Sequence, residues 1–299
     1  MKIIELIERY FWLFLIAGLV LGIAWPVYND FLMALLKPLL MMMLFLVFLK
    51  TDMTGIIRQI KDYKLMTYLV FMYMLVIPSV FFLVINLFNR ELAIGILLLT
   101  AMPAAVASST LTDIIRGNTA LSLSITVITS MIAPFTVPLL FGFINYDDLS
   151  IDTLLMFKDL AMLIFLPLTI SRILKRFFQD TIDKVKVTFT SFNVFLLFIM
   201  IYAAMGSQRD IILDQPLVII WQTLFLYLIF VLLHIIGYVM GYRQDKESRK
   251  AIAVGAAYMN NGMAIVLAAI HFEPSILVLM ILSEFPWSTL LAPFRRIVN

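Results

Sequence analysis

Residues Ala101 to Pro138 read AMPAAVASSTLTDIIRGNTALSLSITVITSMIAPFTVP and lie between two long apolar runs. Into those surroundings they bring Pro103, the hydroxyls of Ser108, Ser109, Thr110 and Thr112, and then Ser122, Ser124, Thr126, Thr129 and Ser130. A hydroxyl at bilayer depth needs an internal partner or a ligand, and backbone beside an interrupting proline must be satisfied by protein, water or a bound species. This stretch is therefore the first candidate for a binding site. The second is AAYMNNGMA, residues 256–264, where two asparagines and a glycine interrupt another apolar run.

Working outward, the 299 residues are 63% hydrophobic and 14% charged, with a mean hydropathy of +1.03. That is the composition of an all-α polytopic membrane protein whose partner is the lipid bilayer. The opening MKIIELIERY carries charges ahead of its apolar run and no small-residue cleavage site follows, so the first hydrophobic segment is expected to be a retained helix. The absence of cysteine excludes disulfides, iron–sulfur clusters and thiolate metal sites. A net charge of +3 reports membrane orientation and not nucleic acid. The chain lacks GxxxxGK[ST], which argues against a self-powered pump, and no obligatory protein partner is evident.

Hydrophobic runs give ten expected spans, at roughly 10–28, 31–49, 65–88, 92–112, 119–144, 154–171, 189–206, 216–241, 251–270 and 275–294. With both termini cytoplasmic, 18 of the 22 basic residues fall inside, only Arg90 and Arg209 fall outside, and Lys37 and Lys158 lie within spans near their outer ends, where they can snorkel. Shifting the count by one span destroys that segregation. The expected location is the plasma (inner) membrane. Ten spans divide into 1–147 and 148–299, five helices each; an odd number per half forces opposite orientations, so the halves are expected to be inverted repeats. The two polar interruptions then fall in the fourth helix of each half, the fourth and ninth of the chain, as a crossed pair of discontinuous helices.

In span five, Ser122 and Thr126 are four residues apart, with Thr129 and Ser130 a turn on, so one face carries a hydroxyl stripe. Hydroxyl and carbonyl oxygens are the hard ligands a partly dehydrated Na⁺ prefers. The same hydroxyls also serve to pack helices or bond back to the preceding turn. Asn260 and Asn261 donate and accept, and Gly262 lets backbone approach, so this segment is a candidate substrate contact, with interhelical glue as the competing role; Val106 is a further candidate. Glu284, in ILSEFPWS near the middle of span ten, is a candidate coupling carboxylate or a structural carboxyl bonded to a neighbouring helix. His234 is either a proton relay or one end of an interhelical hydrogen bond. Asp113 and Arg116 are expected to form an interfacial pair.

The stretch VASSTLTDIIRGNTALSLSITVITSMIAPFTVPLL, residues 106–140, resembles the bile acid:sodium symporter family, in which a Pro-Gly-Gly-Thr-Ala-Ser-Asn segment precedes a Gly turn, Ala-Leu-Ser, a Thr and a Pro-x-x-x-Pro ending. Ala120-Leu121-Ser122, Thr126, Pro134 and Pro138 match at the same spacing. Asn260-Asn261-Gly262-Met263-Ala264 is similar to the family's Asn-Ser-Gly-Leu-Ala, and His271-Phe272 follows in the expected place. The resemblance implies a panel of spans one, two, six and seven, a core of spans three to five and eight to ten, and Na⁺-coupled movement of organic anions. It places a candidate Na⁺ site at Ser108, Ser109, Ser122 and Thr126, with Asn260 on the substrate side.

Several positions depart from the pattern. The shared Glu of both sodium sites is replaced by Gly255, the following Gln by Met259, a Gln of span three by Tyr73, the Gly-Gly by Ala104-Ala105, and the Asn after Ser108 by Ser109. Losing the Glu removes the anionic ligand, and the absence of cysteine argues against the arsenite-exporting branch. The expectation is a secondary transporter, not an enzyme, that carries a small organic anion or amphipathic acid by alternating access with Na⁺ symport. The alternatives are proton-coupled or uncoupled carriage with the sodium sites lost, and a non-transporting membrane receptor.

Overall fold

The computed structural model describes residues 11–51, 63–144 and 151–299; the N-terminal charges and parts of two connections, with Asp147 and Asp148, lie outside the described residues. Of the described residues 86% are helical. Among the described residues no strand forms, and the single β-bridge joins Ala104 to Met259. Among the described residues five helical stretches are long and apolar enough, by length and composition, to cross a bilayer. Exposed large apolar side chains such as Leu217, Trp221, Leu228 and Val239 suit a hydrocarbon solvent.

In chain order the helices are α1 Phe11–Ala24, α2 Asn29–Ala34 and α3 Leu36–Lys50; then α4 Tyr63–Phe71, a π-turn at Met72–Val76, and α5 Ile77–Asn86. The first interrupted span is α6 Arg90–Ala101 and α7 Ser108–Ile114, followed by α8 Thr119–Phe143. Next come α9 Thr153–Val185, α10 Phe189–Ser207, the short α11 Arg209–Asp214 and α12 Pro216–Met240. The second interrupted span is α13 Lys246–Ala257 and α14 Asn261–His271, and the chain closes with α15 Pro274–Leu282, α16 Glu284–Thr289 and α17 Leu291–Val298.

Local chemistry explains most starts and stops. Asn89, Asn118, Asp152, Asp245 and Asn260 cap α6, α8, α9, α13 and α14, each accepting a backbone N–H from the first helical turn. Met102 precedes Pro103 and takes the extended conformation that a following proline imposes, which ends α6. At 33 residues α9 is far longer than the expected span 154–171; Arg172 and Lys175 continue it past the apolar layer, and it kinks at Phe178 (φ −128°, ψ 28°) before the turn that carries Lys184. The last expected span is three short helices with joints at Ser283 and Leu290.

The helices form two groups, which touch chiefly where α8 lies along α9. α1 lies along α10, and α3 along α9. Gly18 meets the Phe198 carbonyl and Gly22 that of Tyr202, so α1 and α10 run parallel. Lys37 meets Asp159, while the Thr51 carbonyl accepts from Arg172 and Lys175, so α3 and α9 also run parallel. In the other group α5 packs on α6, α12 on α13, α8 on α13 and α15 on α6, with the interrupted helices buried at the centre. Gly237 seats α12 on α13: a Cβ there would lie 2.7 Å from the Ala253 Cα.

Candidate functional site

The two helix breaks meet. The Ala105 N–H donates to the Tyr258 carbonyl at 2.7 Å and the Asn260 N–H to the Pro103 carbonyl at 2.8 Å, an antiparallel bridge centred on Ala104 and Met259. Side chains pair further backbone groups of the breaks, as burial favours. Ser108 Oγ donates to the Tyr258 carbonyl at 3.1 Å, and Thr126 Oγ1 to the Ala105 carbonyl at 3.1 Å. The Ala104 N–H donates to Thr129 Oγ1 at 3.2 Å, and Trp287 Nε1 donates to the Met259 carbonyl at 3.1 Å.

Of the four hydroxyls expected to ligate a cation, Ser108 and Thr126 are thus brought to the crossing and turned toward break carbonyls. Ser122 lies one turn before Thr126 on α8, fully buried, and its Oγ has no protein partner. Ser109 is half-buried and bonds back to the Val106 carbonyl of its own turn at 3.3 Å, away from the crossing. What is assembled is a set of neutral oxygens, two hydroxyls on two break carbonyls beside an unpartnered third. Among the described residues no group of three or more His, Asp or Glu is placed to hold a metal.

On the other side of the crossing, Asn260 caps α14 through Oδ1, which accepts the Met263 N–H at 3.1 Å. Asn261 is buried; Nδ2 donates to Ser283 Oγ at 2.9 Å, and Oδ1 has no protein partner. Glu284 is buried beside the same amide, so Asn261, Ser283 and Glu284 link the ninth-span break to the joint of the last span. Gly262 faces Leu40 of α3 and Met200 of α10, at the boundary between the two helix groups. Val106 is half-buried within the first break.

Tyr73 and Gly255 are coupled in space. The Tyr73 hydroxyl donates to the Ile252 carbonyl at 2.7 Å, and a Cβ on Gly255 would lie 3.4 Å from the Tyr73 ring and 3.2 Å from Ile125. The phenol from the π-turn thus packs where a longer side chain at position 255 would begin.

Other expectations are revised. Lys37 does not snorkel alone; it pairs with Asp159, which His271 also contacts. His234 bonds the Phe230 carbonyl of its own helix instead of a neighbouring helix. Asp113 and Arg116 join through backbone, the Arg116 N–H donating to the Asp113 carbonyl at 2.9 Å, and Arg116 takes φ 56°. Lys250, unremarked in the sequence, is buried at the start of the ninth span and donates to the Ile115 carbonyl at 3.1 Å and to Asn299 Oδ1, clasping the end of α7.

Apolar helices around two paired breaks, with polar atoms concentrated at the pairing, define a polytopic membrane protein of the transporter class. The pattern of the SBF-like CPA transporter family matches residues 9–284, and the chain belongs to that family. It is 28% identical over 190 residues to a Bacillus subtilis (strain 168) protein described as the uncharacterized sodium-dependent transporter YocS, a match covering 62% of this chain and 57% of that protein. It is 26% identical over 205 residues to the probable sodium/metabolite cotransporter BASS1, chloroplastic, of Arabidopsis thaliana, covering 66% of this chain and 49% of that one. The rice (Oryza sativa subsp. japonica) BASS1 is 24% identical over the same length. The matched region spans about half the length of these curated relatives.

Proposed function

We propose that the protein is a secondary transporter that carries a small organic anion or amphipathic acid across the plasma (inner) membrane by alternating access. The observation that carries this reading is the pairing of two helix breaks, Pro103–Ala105 against Tyr258–Asn260, with an unpartnered hydroxyl on Ser122 beside it. Broken helices paired at depth put backbone dipoles where a substrate or ion is held. The panel is α1–α3, α9 and α10; the core is the remainder, with Asn260, Asn261, Gly262 and Val106 facing substrate at their boundary.

The packing pattern supports ten crossings in two inverted halves. Advancing each span by five turns the contact of α1 with α10 into that of α9 with α3, the contact of α5 with α6 into that of α12 with α13, and the contact of α8 with α13 into that of α15 with α6. Both termini are cytoplasmic in this arrangement, which puts Lys50, Arg116, Arg172 and Lys250 on the inner side.

Coupling to Na⁺ is the first reading, through Ser108, Ser122 and Thr126 with the Ala105 and Tyr258 carbonyls; the sodium-dependent descriptions of the relatives favour it. A set of neutral oxygens holds Na⁺ more weakly than one with a carboxylate. Proton coupling is the second reading, favoured by Gly255 in place of a carboxylate and by Glu284 buried beside Asn261. Proteoliposomes loaded with choline chloride and diluted into NaCl decide between them. An inward Na⁺ gradient accelerates uptake of labelled organic acids under the first; uptake that ignores Na⁺, follows an inward proton gradient and is lost in Glu284→Gln rejects it for the second.

A further inference from the structure

Three titratable side chains from three helices meet at the end of the molecule opposite Lys50 and Arg172. Lys37, in the first turn of α3, sets Nζ 2.5 Å from Asp159 Oδ1, and His271, the last residue of α14, sets Nε2 2.9 Å from Asp159 Oδ2. The His271 side chain is 4% exposed and that of Asp159 11%. Phe272, next to His271, stacks edge-on against Phe141. Lys37 and Asp159 belong to the panel and His271 to the core, so this bond crosses the boundary that must open. By contrast, Tyr202 to the Trp25 carbonyl and Lys50 to Thr190 stay within the panel, and Tyr73 to the Ile252 carbonyl and Asn261 to Ser283 within the core.

The charge balance gives the contact a direction. With His271 neutral, Lys37 and Asp159 cancel and the imidazole N–H donates to the second carboxylate oxygen. A proton on His271 leaves two cations on one carboxylate and a net positive charge in a buried place, which water solvates better once the helices part. Among the described residues the other charged groups nearby are Asp152, Glu273 and Lys158, all exposed to water, which screens them.

We propose that Lys37, Asp159 and His271 form a proton-binding site that latches panel to core on the outer face, closed while His271 is neutral and released when it takes up a proton. The inference rests on the alternating-access reading and adds a ligand, the proton, and a place where it acts. Low external pH then favours the outward-open state whichever ion drives transport.

The chain contains no cysteine, so Leu40→Cys, one turn inward of Lys37 and packed against Gly262 across the same boundary, supplies a single buried thiol. Its modification by a membrane-impermeant maleimide added outside proteoliposomes is normalised to Leu87→Cys, an exposed outer position, to remove the reagent's own pH dependence. The normalised rate should rise about tenfold as external pH is lowered from about 8 to about 4.5, through and below the ordinary imidazole range. His271→Gln, neutral at every pH, should flatten that rise, and Asp159→Asn should label quickly throughout. A rate that is flat or falls with acid while Asp159→Asn labels quickly overturns the proton site and leaves alternating access standing. A thiol that stays unmodified even in Asp159→Asn means that the groups do not part on this face, which sinks both readings.

Discussion

Replacing Ser122 with alanine separates the two roles of the hydroxyl stripe, because they predict opposite behaviour. Ser122 Oγ is fully buried and bonds no protein atom, whereas its neighbour Thr126 is occupied by the Ala105 carbonyl. An unpartnered buried hydroxyl costs about 1–3 kcal/mol, so in sodium-free buffer Ser122→Ala should leave stability unchanged or raise it by about 1 kcal/mol. If Ser122 is a cation ligand, Na⁺ at about ten times its dissociation constant stabilises the native protein by about 1.4 kcal/mol, a shift of about 2–4 °C in melting temperature. The variant should lose most of that increment. Intrinsic fluorescence suits the measurement, since Trp287 donates to the Met259 carbonyl within the crossing. Melting is followed in detergent with NaCl or with choline chloride at equal ionic strength. A variant that melts lower in choline would show that the hydroxyl has a structural partner. One that keeps the full sodium increment would show that it is no ligand. Either result refutes the reasoning.

Thr126→Val should behave in the opposite way: it strips the Ala105 carbonyl of a hydrogen bond at the break and should destabilise the protein by about 1–3 kcal/mol even without Na⁺, as the same melts will record. Gly237→Ala drives a Cβ to 2.7 Å from the Ala253 backbone and should cost about 3 kcal/mol, whereas Gly95→Ala meets only the far end of the Leu279 side chain and should be tolerated; comparative melts or expression yields test the pair. Asp245, in the loop before α13, has its carboxyl held below the ordinary range, first by the Ser248 backbone N–H. A depressed value means that the cap contributes above the ordinary carboxylate range and is lost as pH falls through the lowered value. Asp245→Ala should therefore cost about 1 kcal/mol at neutral pH and nothing in strong acid, measured as melting temperature against pH.

The membrane class, the helical character and the two breaks were legible because each has a local cause. A proline forces its predecessor into an extended conformation, asparagine at the start of a helical run caps it, and hydroxyls within an apolar run stand out against their solvent. Asp159 and Lys37 carried a signal of the same kind, opposite charges at the outer ends of spans two and six. Reading Lys37 as a snorkelling side chain concealed it. His271 was noticed only as part of a pattern, because nothing in the order of residues says that it meets a carboxylate 112 positions away.

By itself, the sequence determined what must be avoided in hydrocarbon: unpaired backbone at Pro103 and Asn260, bare hydroxyls, isolated charges. It left open which partner each of these would find. Only the tertiary structure decided that one break satisfies the other, that Ser108 and Thr126 turn to those carbonyls while Ser109 turns away, and that Tyr73 packs beside Gly255. The physical reason is range. Solvent mismatch and capping act within a few residues and are written in their order, whereas pairing at the crossing depends on how helices far apart in the chain pack.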